Sequence, residues 1–456
     1  MARGRAAMKC ETGKFVFPVF ASFLILTALA SVSVAKTIYV PDNYTKIQWA
    51  VDNASDGDTI VVRDGTYVEN LNVNKRLTIM SENGSDKTIV QVMKPDDHVF
   101  EVWGDYVNII GFTVKGGDSG FEIDFGPDHC TISNCVITNN KVGIYLGCFV
   151  SNITLTNNTM MNNKRNFYIG SVDLEELQSH KIDTSNTVNG KPIYYLVNEK
   201  DRIIDSSTNA GYVAAINSTN ITVKDLTLTN NGQGVLFCGV SDSRIENVNA
   251  SNNGVGIDLD ESSNNTLINN EVSFNGGSGI YLWQSGNNNI MNNNASNNGY
   301  AGISLKITRY NKLINNTVNS NDMFGIRLYN SFYTQIVNNV ANSNNHSGIY
   351  IGGEEMASSW YNDIINNTIQ LNRWNGVCLD GAGYNTVKKN NISKGHDGIL
   401  LIDYANYNEI ANNKIKSNNE TGIKLIRLLG LWGPHHNEIY NNTISDNRRG
   451  LYLETS

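Results

Sequence analysis

Gly302-Ile-Ser-Leu-Lys306, then Leu313-Ile-Asn-Asn-Thr-Val318-Asn-Ser-Asn321, then Gly325-Ile-Arg-Leu328 is the stretch that decides the fold. Apolar residues alternate with polar ones within it, so the period is two and the segments are strands. The residues between are Asn, Gly, Ser and Thr, which are poor helix material. The same unit recurs along the chain. Aligning Gly-Ile/Val-x-Leu places Gly143, Gly234, Gly256, Gly279, Gly302, Gly325, Gly348, Gly376, Gly398, Gly422 and Gly450 in one column, with Gly120 and Gly211 fitting less tightly. Most steps are 22 to 24 residues; two steps of 28 contain added segments, Gly352 to Trp360 and Leu428 to His436, which read as loops at a corner.

Asparagine marks two further columns. One runs through Asn158, Asn270, Asn293, Asn316, Asn339, Asn367, Asn390, Asn413 and Asn442; the other, five residues on, includes Asn140, Asn163, Asn253, Asn275, Asn298, Asn321, Asn344 and Asn372. Asn tolerates the left-handed backbone of a sharp corner, and its amide donates to one stacked neighbour while accepting from the next, as a ladder along an axis. The pattern predicts an all-β chain: a right-handed parallel β-helix solenoid of about fifteen coils, roughly 70 Å long at strand spacing. A leucine-rich repeat has a similar unit length, but its Leu-x-x-Leu-x-Leu frame is missing.

Residues 1–35 read as a secretory signal: Arg3, Arg5, Lys9 and Lys14 precede an apolar run from Phe15 to about Val34 and a small-residue cleavage site at Ser33-Val34-Ala35. An uncleaved membrane anchor is the alternative reading. Without those four bases and one acid the net charge of −8 becomes −11, which excludes nucleic acid as a natural partner. The cysteines outside that segment, Cys130, Cys135, Cys148, Cys238 and Cys378, are odd in number and form no disulfide framework. Residues 36–80 form an N-terminal cap and first coil, the cap being a helix within Pro41 to Ala54 whose stripe is Ile47, Ala50, Val51 and Ala54. Coils follow over 81–170 and 211–456. The segment 171–210 breaks the repeat and is expected as an excursion packed beside the coils. The last coil carries no cap, which leaves room for self-association or a partner there. Triplets such as Asn152-Ile-Thr154, Asn220-Ile-Thr222 and Asn441-Asn-Thr443 are glycosylation sequons, which a repeat containing Asn-Asn-Thr also generates by arithmetic.

Pro41-Asp-Asn-Tyr-Thr-Lys-Ile-Gln48, Gly57-Asp-Thr-Ile-Val-Val62, Asn189-Gly-Lys-Pro-Ile-Tyr-Tyr195 and the Asn-Asn-Thr-Ile coils together resemble the NosD-like periplasmic β-helix proteins, which share their repeats with carbohydrate-binding proteins and sugar hydrolases. The resemblance covers nearly the whole chain after residue 35. It implies a secreted, cell-surface or periplasmic location, and a link to copper delivery with an ABC transporter as partner. The residues give copper little support. His98, His129, His180, His346 and His396 are isolated in sequence, and the best constellations are His435-His436 and His129 with Cys130, Cys135 and Cys148. No metal site and no cofactor is assigned.

The x positions of Ile-x-Leu-x strands face outward, and one coil separates residues by strand spacing. That face carries Asp258 and Asp260, Tyr281 and Trp283, Lys306, Arg327 and Tyr329, Tyr350 and Asp380. Rings stack on sugar faces and charges bind hydroxyls or uronates, so Tyr281, Trp283, Lys306, Arg327, Tyr329, Tyr350 and Asp380 are the candidate ligand residues. The reading favoured is a binding or structural module contacting a polysaccharide or surface glycan. A polysaccharide lyase, hydrolase or epimerase is the alternative, with Asp258, Asp260, Lys306 and Arg327 as its catalytic candidates; a copper-handling accessory protein is the second.

Overall fold

The computed structural model describes residues 35–353, 359–428 and 433–454; nearly all of the stretch read as a signal, and the middle of each of the two loop insertions, lie outside the described residues. The chain divides into two compact units, residues 1–186 and 187–456. Each is a right-handed parallel β-helix, and together they make about 17 turns, slightly more than the roughly fifteen expected from the repeat. The surplus has a simple cause. The early coils of the first unit, such as that of Phe100–Val102, lack the Gly-Ile-x-Leu signature yet still pair as rungs.

In the first unit, seven parallel strands from Thr37–Val40 to Lys181–Ile182 form one sheet, and five from Leu71–Val73 to Arg165–Ile169 form another. The rings of Phe100 and Phe121 stack in consecutive coils, 5.1 Å apart and fully buried. Helix α1 (Ile47–Asn53) buries Ile47, Ala50 and Val51, as its stripe requires. Its polar ends are held by the coils. The Glu69 carboxylate accepts from the Ile47 and Gln48 N–H groups, both at 3.0 Å, and the Lys75 ammonium donates to the carbonyls of Val51, Asp52 and Ala54. An anion at the helix N-terminus and a cation at its C-terminus complement the helix dipole.

In the second unit the Gly-Ile-x-Leu strands, among them Val255–Asp260, Ala301–Lys306 and Phe324–Tyr329, pair in parallel and in register. Ile257, Ile280, Ile303 and Ile326 stack beside Leu259, Leu282, Leu305 and Leu328, all fully buried. The asparagine columns divide their labour in a way the sequence alone does not show. Left-handed backbone falls on the first Asn of each pair, Asn269, Asn292, Asn315 and Asn338, with φ from 55° to 58°. The second Asn is buried and carries the hydrogen bonds. The N–H groups of Asn270, Asn293 and Asn316 donate to the Oδ1 of Asn293, Asn316 and Asn339 at 2.8 to 3.0 Å, and each Nδ2 donates to the same oxygen and to a core-strand carbonyl. Corner backbone that would be orphaned is thereby satisfied. A third column, Asn265, Asn288 and Asn311 and later Asn362, Asn385 and Asn408, passes the same N–H to Oδ1 bonds within each of its two runs and goes unnoticed in the sequence because Thr334 interrupts it.

The 171–210 segment is not an excursion beside the coils. Helix α2 (Leu174–Ser179), capped by the Asp173 carboxylate on the Glu175 and Glu176 N–H groups, is an insertion within one turn, after which Lys181–Ile182 pairs with Thr154–Leu155. Asn189 and Gly190, with φ of 50° and 77°, close a tight antiparallel hairpin, and Lys191–Val197 then pairs in parallel with the strand Tyr212–Ile216. Ile182 in the first unit and Ile193 in the second thus serve as buried rungs, and Leu177 is the buried residue of α2.

His180 follows α2 in the first unit and is buried; its Nδ1 accepts from the Ile153 N–H at 3.3 Å. Burial disfavours the charged ring and lowers its pKa from 6.5 to about 4. The unfolded chain therefore binds a proton at a pH where the folded chain does not. The stability His180 contributes is complete above pH 6.5 and is lost as pH falls from 6.5 to about 4, a change on the order of 3 kcal/mol. His180→Asn retains an acceptor for Ile153 and removes the titration. Denaturation midpoints followed over that interval should fall less steeply for the variant, and an identical slope would contradict the assignment.

Candidate ligand groove

Outward side chains of the second unit are positioned by strand register. Tyr281, Ser304, Arg327, Tyr350 and Cys378 occupy one row in successive coils, and Trp283, Lys306 and Tyr329 the next. Three of the candidate residues meet in a groove of about 430 Å³: Arg327, Tyr350 and Asp380. Tyr300, Phe324, His346 and Trp374 are its aromatic wall, and aliphatic residues such as Leu400 and Ile402 also line it. Phe324 is the hub, with ring centroids 4.8 Å from His346, 5.1 Å from Tyr350 and 5.9 Å from Tyr300. Trp374, half exposed, lies parallel to His346 at 5.5 Å. The Arg327 guanidinium sits 4.2 Å from the Tyr329 ring centre and 5.7 Å from that of Tyr300, a cation held over aromatic faces.

Tyr350 donates its hydroxyl hydrogen to Asp380 Oδ2 at 2.9 Å. Burial raises the Asp380 carboxyl above the usual carboxylate range, although the Tyr350 hydrogen bond opposes the rise. Burial first, and the Asp380 charge second, push the Tyr350 hydroxyl well above its ordinary value, so it remains a donor. Cys378 is buried and its thiol is raised in the same way, which leaves it unreactive. Burial also lowers His346, whose Nδ1 lies 3.0 Å from Ser347 Oγ. The groove is thus an aromatic trough with one fixed cation and one carboxylate.

The other candidates are placed differently. Asp258 is 6% exposed and Asp260 is fully buried, so neither presents a carboxylate to a polymer lying on the surface. Register explains their enclosure: Leu236 and Tyr281 flank Asp258, and Cys238 and Trp283 flank Asp260. Alternation assigns a side chain to the outer face, while the bulk of its neighbours decides whether water reaches it. Tyr281, Trp283 and Lys306 are half-buried outside the groove, and Tyr329 enters only through Arg327. The groove residues that sequence reasoning missed had a legible signal. Tyr300, His346 and Trp374 each stand two positions before a glycine of the column, and Phe324 one position before.

A separate aromatic feature runs along a corner of the same unit. Tyr310, Tyr333, Tyr361, Tyr384 and Tyr407 stack in successive coils with centroids 4.8 to 5.3 Å apart and interplanar angles of 8° to 28°, ending on His436. All five hold φ between 53° and 58°. Stacking offsets the cost of that backbone. Since each ring covers the face of the next, the file offers solvent its edges and not a platform for sugar faces.

The donor sets do not fit copper. Among the described residues no three His, Cys, Asp or Glu side chains come close enough to share an ion. Burial raises the Cys130 and Cys135 thiols to about 11, and Cys130 donates to the Gly104 carbonyl, so both are thiols and not thiolates. His129 pairs with Asp128 at 2.7 Å and stacks on Tyr106. His435 and His436 place their Nδ1 atoms 2.7 Å apart, and among the described residues no third His, Cys, Asp or Glu joins them.

Comparison with known proteins gives three results. Over 119 residues the chain is 33% identical to a "Cell surface glycoprotein" of Methanothermus fervidus; that stretch is 26% of this chain and 18% of the glycoprotein, so the chain spans under a fifth of that relative. Solved structures similar to it include PfbA, a surface adhesin of Streptococcus pneumoniae, at 14% identity and a TM-score of 0.40, covering 88% of this chain and 94% of that one. The periplasmic alginate epimerase AlgG is another, at 14% identity and a TM-score of 0.37, covering 92% and 84%. The "Right handed beta helix region" matches residues 212–357, and "Periplasmic copper-binding protein (NosD)" matches residues 51–205 and 336–456. With more than half of its length inside that second match, the chain belongs to the NosD family of right-handed parallel β-helix proteins.

Proposed function

We propose that this surface β-helix protein is exported and binds an acidic polysaccharide in the groove around Arg327. The observation that carries the reading is Arg327, held over the rings of Tyr300 and Tyr329 in a trough whose rim is the half-exposed Trp374. A guanidinium fixed in this way forks onto a uronate or other carboxylate, while the exposed part of the Trp374 indole packs its ring face on the apolar face of a pyranose. The burial of Asp258 and Asp260 favours binding over hydrolysis by that pair. The periplasmic description of the family and the surface location in the relative's name support the location. The copper reading is not favoured, because the donor sets do not fit.

The test is affinity electrophoresis of the chain without its signal segment in gels containing uronate-rich or neutral polysaccharides, with turnover followed in parallel. Retardation is expected in the uronate gels, weakened about tenfold in Trp374→Ala and lost in Arg327→Gln. Retardation by neutral glycans alone would overturn the acidic ligand. No retardation in any gel would overturn carbohydrate binding. Turnover abolished by Tyr350→Phe would replace binding with catalysis.

A further inference from the structure

We infer that the corner asparagines Asn264, Asn315 and Asn441 are N-glycosylation sites. Sixteen Asn-x-Ser/Thr triplets lie within residues 35–454, and the acceptor asparagine of none of them is buried. None of the buried, stacked asparagines begins such a triplet. The geometry of the corner produces this separation. In Asn315-Asn-Thr317, Asn315 takes the left-handed backbone at φ 55° and turns outward, whereas Asn316 points inward and bonds to Asn293 and Asn339. Thr317 is partly exposed beside it. A glycan on Nδ2 of the first asparagine therefore projects into solvent and leaves the stack intact.

Not every acceptor is equally free. Nδ2 of Asn157, Asn220 and Asn366 is already donated, to Asn134, Asp201 and Asn338, at 2.6 to 2.7 Å. Asn264, Asn315 and Asn441 are exposed, hold φ of 53° to 59° and make no side-chain hydrogen bond to the described residues. Among the acceptor asparagines with left-handed backbone, these three are the ones whose amides the geometry leaves open. The donor is a lipid-phosphate- or lipid-diphosphate-linked oligosaccharide. The amide nitrogen forms a bond to the anomeric carbon, the bond from that carbon to the phosphate oxygen breaks, the lipid phosphate departs, and the amide proton passes to a base of the transferase. The modification presupposes export, as does the reading above, but not the polysaccharide groove.

The experiment is glycopeptide mass spectrometry of the protein recovered from its own host, together with two kinds of variant. Glycan-bearing peptides are expected at Asn264, Asn315 and Asn441. Asn315→Gln and Thr317→Ala should each remove the glycan at 315 only. Asn316→Gln preserves the triplet, so that variant should keep the glycan while losing stability. Unmodified asparagine at all three positions would overturn the proposal, as would a glycan that survives Thr317→Ala.

Discussion

Asn316→Leu should destabilise the second unit by about 3 kcal/mol or more. Leucine has the same number and branching of side-chain heavy atoms, so no cavity is opened and the loss is chiefly one of hydrogen bonding. Oδ1 of Asn316 accepts from both the backbone N–H and the side-chain amide of Asn293, and its Nδ2 donates to the Ile290 carbonyl and to Asn339. All of these groups are buried, and removing the amide leaves them without that partner in a place water does not reach. Denaturant unfolding gives the size of the loss, and hydrogen exchange should show faster opening around Asn293 and Asn339 than in the first unit. A loss below about 1 kcal/mol would mean that the corner relaxes to admit water, and the account of the stack given above would be wrong.

Gly325→Ala is the second large effect, and its sign is informative. Its φ is outside the left-handed region, so alanine has an allowed backbone there, and stiffening the unfolded chain would by itself stabilise the protein by roughly 0.4–1 kcal/mol. Space decides otherwise. A Cβ at Gly325 would stand 2.5 Å from the Gly348 carbonyl oxygen and 2.9 Å from Asn344 Nδ2. Backbone cannot yield as a flexible side chain does, and the expected cost is about 3 kcal/mol. Gly450 belongs to the same column, yet a Cβ there meets only Ile444 Cγ2 at 3.9 Å. Gly450→Ala should be neutral or slightly stabilising. Equal effects at the two positions would refute the explanation, since the glycine requirement is imposed by the coil that follows and not by the turn itself.

That contrast shows how far the sequence could be read. Alternation and the glycine steps carry the strand pattern, because side-chain period and core burial are one constraint. The stripe at Ile47, Ala50 and Val51 likewise identifies α1. What the repeat could not reveal was which asparagine of a pair turns the chain, since Asn269 and Asn270 are chemically identical and differ only in backbone and burial. Nor could it reveal that Asp258 and Asp260 are enclosed, because exposure depends on Leu236, Cys238, Tyr281 and Trp283 in other coils. Arg327, Tyr350 and Asp380 were legible as outer-face residues. Their partners Phe324, His346 and Trp374 were missed because they lie one or two positions before the repeat motif, although that fixed offset from the column glycines is itself a signal.

The tyrosine file from Tyr310 to Tyr407 makes the second unit a reporter of its own integrity. Five phenols held nearly parallel at coil spacing should couple their transitions and give a near-ultraviolet circular dichroism band that isolated tyrosines lack. Loss of one coil interrupts the coupling on both sides, so the band measures unbroken stacking more than folded mass. Partial unwinding of these coils can therefore be timed optically, without a label.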